Sequence, residues 1–203
     1  MAIKILLTGF EPFGEVEANP SHRVVEALRG ADIAGIELAA AVLPVRYAAA
    51  GECIRLLIRE NRPDYVLALG VAAKSEGIRI ERVALNLDDS ESPDNDGVLR
   101  QGESILADGP PAYFSRLPLN GLKDVLESAG IPVRISNHAG AYLCNHAYYA
   151  ATHEVEQLGL PSGVVFIHVP LPDNAEDGAG MSMNAIERSV RLSLQWLAAE
   201  SSG

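Results

Sequence analysis

Three mostly apolar runs constrain this chain most: IKILLT at 3–8, YVLALGV at 65–71 and GVVFIHV at 163–169. Each reads as a strand buried on both faces, the pattern of a parallel sheet covered by helices. Helical signals fall between them. Asn19-Pro20 predicts a helix start, with Asn as cap and Pro at the first position, running to about Arg29 before Gly30. Tyr47, Ala50, Ile54, Leu57 and Ile58 recur at helical spacing, which predicts a helix over 46–61 that Pro63-Asp64 stops. Further helices are expected at about 119–129, 144–158 and 182–200, the last with an apolar stripe of Ile186, Val190, Leu194 and Leu197. Strands are expected at 36–43, at 78–86 with one wetter face, and at 132–136. Strands alternating with helices give an α/β domain around a largely parallel sheet, and no repeat or linker divides residues 1–203. The stretch 87–118 is irregular and rich in Asp, Ser, Pro and Gly, a length that points to a functional loop.

The charge balance restricts partners. A net charge of −11 over 203 residues lacks the basic footprint that nucleic acid or an anionic membrane requires. The first residues, Met1 to Leu7, lack a signal-peptide pattern, and no run reaches the length of a spanning helix. The expectation is a cytoplasmic protein. Two cysteines, Cys53 and Cys144, make neither a disulfide framework nor a Cys-x-x-Cys zinc site. Ser92, Asp94, Asp96, Gly97 and Glu103 fit a calcium-loop spacing only in part, since its first position calls for Asp. A solvated or lid-forming loop is the better reading, and no metal or cofactor is expected. Gly70 to Gly77 follows a strand and contains Lys74, but lacks the Gly-Lys-Ser/Thr ending of a phosphate loop.

Cys144 is the strongest candidate for chemistry. It follows a strand and the turn Asn137-His138-Ala139-Gly140, at the expected start of a helix. Unpaired N–H groups there favour a thiolate and can hold an oxyanion. Cys53 lies mid-helix beside an apolar stripe and reads as packing. Among the five histidines, His168 ends a buried strand directly before Val169-Pro170, where the carboxyl ends of strands line a ligand crevice. A polar group after five apolar residues needs a partner. A nucleophile and base call for a carboxylate to orient the imidazole. Alternation places Ile78 and Ile80 on one face and Arg79, Glu81 and Val83 on the other, so by spacing alone Glu81 reads as solvent-facing, with Asp94 as a competitor.

Four segments carry a family resemblance: LLTGFEPFG followed by NPS, ERVALNLDD followed by PDNDG, AGAYLCNHAYY, and FIHVPLP. In order and spacing they resemble the pyroglutamyl peptidase I family, also called pyrrolidone-carboxylate peptidase, over essentially the whole chain. The resemblance implies a single-domain α/β/α sandwich around a twisted sheet, assembled as a homo-oligomer of two or four copies. It implies cysteine-peptidase action on N-terminally pyroglutamylated peptides, with Glu81, Cys144 and His168 as the catalytic set. It places the substrate pocket on Phe10 and Phe13, with Val71 and Tyr142 completing the binding residues. A flat neutral lactam suits such rings, and a charged N-terminal amine would be left unpaired there. Two departures stand out: Ala72-Ala73-Lys74-Ser75 replaces a Gly-Gly-Arg or Pro-Gly-Arg run, and Glu91 occupies a position where family members carry Arg. These leave open a related amidase or deblocking hydrolase with an altered pocket, or a weakly active small-molecule binding protein on the same fold.

Overall fold

The computed structural model describes residues 2–14, 18–172 and 181–200. Seven strands form one sheet: β1 (Ile3–Phe10), β2 (Ile36–Leu43), β3 (Tyr65–Val71), β4 (Ile78–Leu85), β5 (Ala112–Phe114), β6 (Val133–His138) and β7 (Gly163–Val169). Among the described residues five helices cover it: α1 (Pro20–Leu28), α2 (Tyr47–Asn61), α3 (Leu119–Ser128), α4 (Leu143–Gln157) and α5 (Met183–Glu200). The order across the sheet is β2-β1-β3-β7-β4-β5, with β6 on β4. β2, β1, β3 and β7 run parallel, whereas β4 is antiparallel to β7. The sheet is therefore mixed and mostly parallel, an α/β/α sandwich as expected.

Alternation along the strands divides the core in two. Ile5, Leu7, Leu67, Leu69, Val165 and Ile167 pack against α1, α3 and α5. Leu6, Phe10, Val66, Ala68, Val164 and Phe166 face α2 and α4. Both faces of the central strands are dry, which is why those strands lack polar alternation.

The elements begin and end for local reasons. Asn19 Oδ1 accepts the Ser21 N–H at 2.9 Å, and Pro20 opens α1. Arg62 closes α2 in the left-handed region, φ 45°, donating its N–H to Ile58 O. The irregular stretch 87–118 contains one strand the residue pattern does not announce, the three-residue β5. It pairs antiparallel with Val83–Leu85 of β4, and three residues are too few for alternation to show.

The path of the chain creates a crevice. β1 pairs with β3 over Ile5–Thr8 and Tyr65–Ala68. Beyond that point β1 follows β2 to Phe10, while β3 follows β7 to Val71. From β1 the chain crosses one face through α1 to β2 and returns over the other through α2 to β3. This is a topological switch, the place where open α/β sheets receive ligands beyond the carboxyl ends of their strands.

Candidate active site

Cys144 is the second residue of α4 and is half-buried. The positive φ of Gly140, 83°, turns the chain out of β6 towards the helix. Tyr142 is the N-cap residue but its side chain makes no capping bond. The first-turn N–H groups of α4 therefore carry their partial positive charge beside the sulfur. Below the sulfur lies Gly70. A Cβ at that position would stand 2.7 Å from Cys144 Sγ and 2.9 Å from Phe166 Cζ, so only glycine leaves room for the thiol over the sheet.

Gly70 is the register partner of His168 on β7, which brings the imidazole beside the sulfur. His168 is 5% exposed, and its Nδ1 lies 2.8 Å from Glu81 Oε1. Burial alone pushes the imidazole down. The charge on the Cys144 sulfur and a hydrogen bond to it, joined by the hydrogen bond and charge of Glu81, outweigh burial and raise His168 from 6.5 to about 9. While the sulfur is anionic, the proton is therefore held on the imidazole.

Glu81 corrects the spacing argument. Its side chain is fully buried, whereas Arg82 beside it is exposed. β4 lies between β7 and β6, and its Glu81 face is covered by α4, whose Tyr148 hydroxyl donates to the Glu81 carbonyl at 3.3 Å. At Glu81 a position that alternation marks as solvent-facing is therefore buried, while Arg79 and Val83 on the same face stay partly exposed.

Phe13, Tyr142 and Tyr47 form an aromatic wall, and Phe10 lies in the core shared with α2 and α4. Phe10 is buried at the end of β1, and Phe13 contacts Tyr142 with ring centroids 6.3 Å apart. Tyr142 meets Tyr47 edge-on at 5.8 Å. The Tyr142 hydroxyl donates to Pro93 O at 3.0 Å, tying the wall to the acidic loop. Burial, then the charges of Asp94 and Cys144, push this phenol up to about 12, so it stays a donor. Val71 differs from the others. Its register partner Val169 belongs to the opposite core face, so alternation turns the Val71 side chain away from Cys144 and leaves only its backbone at the crevice.

The acidic loop is stitched to this end of the molecule. Asp94 accepts N–H groups from Tyr47, Asp96 and Val98, which commits its oxygens to the start of α2 and to a turn. Asp88 is fully buried, paired with His146 Nδ1 at 2.9 Å and Arg100 Nη1 at 3.0 Å. The Asp89 N–H donates to Ala141 O, just before α4. Asn145, next to Cys144, takes the Leu85 N–H and donates to the Leu85 and Leu87 carbonyls. No group of three or more His, Cys, Asp or Glu among the described residues is arranged to hold a metal ion.

A sulfur at a helix start, an imidazole beside it and a buried carboxylate behind can perform acyl transfer. The comparisons with known proteins point the same way. The family profile described as Pyroglutamyl peptidase matches residues 3–199. The chain belongs to the pyroglutamyl peptidase family. The pyrrolidone-carboxylate peptidase of Oceanobacillus iheyensis is 44% identical over 82% of this chain and 83% of its own. That of Pyrococcus furiosus is 36% identical over 96% of this chain and 100% of its own. The crystal structure of pyrrolidone carboxyl peptidase from Fervidobacterium islandicum AW-1 superposes with TM-score 0.91 at 38% identity, covering 96% of this chain and 98% of that one.

Within this pyroglutamyl peptidase fold His138, His146 and His153 have separate partners. Tyr113 Oη lies 2.8 Å from His153, His138 accepts the Gly140 N–H, and His22 sits half-buried on α1. Residue patterns missed Gly70, Asn145, Asp88 and Arg79. For Asn145 and His146 a signal was available: two polar residues in the first turn of a helix buried on most sides require partners. Gly70 offered only its place at a strand end.

Proposed function

We propose that this chain is a cysteine peptidase that removes an N-terminal pyroglutamyl residue from peptides, with Cys144 as nucleophile, His168 as acid and base, and Glu81 as the group that orients the imidazole. The observation that carries it is the juxtaposition of the Cys144 sulfur, at the open start of α4, with an imidazole held 2.8 Å from a fully buried carboxylate. Phe10, Phe13 and Tyr142 supply an apolar wall for a flat, neutral lactam, and the Val71 backbone supplies hydrogen-bonding groups at the opposite edge. An unblocked peptide would bring an ammonium into this wall without a partner, and its desolvation excludes it.

The steps follow from the groups in place. The sulfur anion attacks the pyroglutamyl carbonyl carbon, and the N–H groups at the start of α4 hold the oxyanion. The His168 imidazolium gives its proton to the departing amine as the C–N bond breaks, leaving a thioester. Now neutral, His168 takes a proton from water, whose oxygen attacks the thioester. The C–S bond breaks, pyroglutamate leaves, and sulfur anion and imidazolium are restored. Glu81 remains a carboxylate throughout and fixes Nδ1, so that Nε2 faces the reaction.

The same reading includes one catalytic domain, a cytoplasmic setting and a homo-oligomer of two or four copies, the last supported by the family resemblance and measurable by light scattering. The test of the activity is a fluorogenic pyroglutamyl amide. Turnover should be lost in Cys144→Ala and fall by about 10³-fold or more in Cys144→Ser. Equal turnover by wild type and Cys144→Ala would overturn the assignment. Glu91 and the Ala72-Ala73-Lys74-Ser75 run favour a second reading, an amidase with an altered pocket. A panel of N-acyl and cyclic-imide substrates separates the two.

A further inference from the structure

Glu81 has a second cationic neighbour. Arg79, two residues earlier on the same face of β4, places Nε 3.4 Å from Glu81 Oε1, the oxygen that His168 Nδ1 meets at 2.8 Å. Arg79 is also the register partner of His168 across the β4–β7 pair. Its Nη2 donates to Ser136 Oγ on β6 at 2.8 Å, which holds the guanidinium from the far side. Neither Arg79 Nε nor Glu81 Oε2 makes a hydrogen bond within the protein. The contact is therefore one of charge, not a two-bond fork, and its effect is electrostatic.

We propose that Arg79 is a positioning residue: its guanidinium and the His168 imidazole share Glu81 Oε1, and that sharing sets how firmly the imidazole holds its proton. The inference rests on the role proposed for His168. The titratable and charged groups around the imidazole and its carboxylate partner can be named from each element. α4 contributes Cys144 and, behind Glu81, the Tyr148 hydroxyl; β4 contributes Glu81 and Arg79; β6 contributes the exposed Arg134, register partner of Arg79. Cys144 and Glu81 hold the proton on the ring. Arg79 opposes them twice, by repelling the imidazolium and by drawing on the oxygen that stabilises it. The side chain of Arg79 is 26% exposed and that of Glu81 0%, so solvent screens the opposition more than the support.

The sign follows. With Arg79→Met the imidazolium becomes a weaker acid, so the alkaline limb of kcat/KM moves to higher pH. The expected shift is about half a pH unit or more, roughly threefold in proton affinity. Arg79→Lys keeps the charge and should hold the limb near its wild-type place. The pH dependence of Cys144 alkylation by iodoacetamide and the NMR titration of the His168 ring should move with the limb. A purely structural arginine would lower activity at every pH and move neither. A limb unchanged or lowered in Arg79→Met, or Arg79→Lys shifting as far as Arg79→Met, overturns the proposal. Failure of the wild type to turn over a pyroglutamyl amide would sink the proposed activity, while alkylation and NMR would still decide the role of Arg79.

Discussion

At the scale of single residues, the site is a contest over one proton. Burial works against the imidazolium of His168, and two negative partners, the Cys144 sulfur and Glu81, overcome it. Glu81→Gln removes the carboxylate charge while keeping the shape. The imidazole should then lose its proton at lower pH, so the alkaline limb of kcat/KM falls from about 9 towards neutrality. At the wild-type optimum kcat/KM should drop by about 10²- to 10⁴-fold, because the ring loses both orientation and charge. Stability has the same sign. A histidine whose folded value is raised contributes stability that is fully present below its unfolded value of about 6.5 and is lost as pH rises through the folded one. In Glu81→Gln this contribution should disappear over a narrower and lower interval, read by urea titrations at pH 6 and pH 9. Cys144 and His168 were legible as residues because each sits at the end of a local pattern, a helix start and a strand end. Glu81 was only a weak candidate by residue pattern, which favoured a solvent-facing side chain, and the resemblance singled it out. Its burial comes from β6, β7 and α4, none of which lies near it in sequence.

At the scale of elements, the positions of α2 and α4 depend on a loop that has almost no regular structure. Asp94 carries much of that burden: its carboxylate takes the N–H of Tyr47, the first residue of α2, and two more from its own turn. Burial pushes this carboxyl up, but the three N–H bonds and the charge of Arg46 prevail and hold it below its ordinary value. Asp94→Ala should cost about 1–2 kcal/mol at pH 7. A depressed carboxyl contributes stability that is fully present above its unfolded value of about 3.9 and is lost as pH falls through the folded one. The difference between wild type and Asp94→Ala in urea titrations should therefore be full at pH 7 and shrink below pH 4. An equal difference at pH 7 and pH 3 would mean that the carboxylate is not the stabilising group. The calcium-like spacing of this loop has another explanation on these grounds. Asp, Gly and Glu at short intervals serve a turn, a helix start and the Arg100–Glu103 ion pair. The residue pattern located the loop correctly but not its work, since the bonds that tie it to α2 and α4 run between residues distant in sequence. β5 escaped for a similar reason: its strand character comes from β4, against which it lies.

At the scale of the molecule, the three aliphatic runs announced the architecture because a strand dry on both faces must lie inside a two-layered cover of helices. What they could not announce was the antiparallel direction of β4, which depends on how the chain returns beside β7. That direction matters, since it sets Glu81 beside Phe166, two residues before His168 on β7 and within reach of its ring. One sheet thus serves two cores. Trp196 of α5 packs in the core shared with α1 and α3, while Cys144 lies against the core shared with α2 and α4. The central strands β1, β3 and β7 contribute alternate residues to both, so neither layer can be lost while the other keeps its support. Urea should therefore unfold the protein in a single transition, with Trp196 fluorescence, far-UV circular dichroism and loss of turnover superposing. In an assembly of copies the common midpoint should rise with protein concentration, still without separating the probes. Turnover lost well before the Trp196 signal would mean that α2 and α4 detach from a sheet that persists without them, and the two cores would then be two folding units on one sheet.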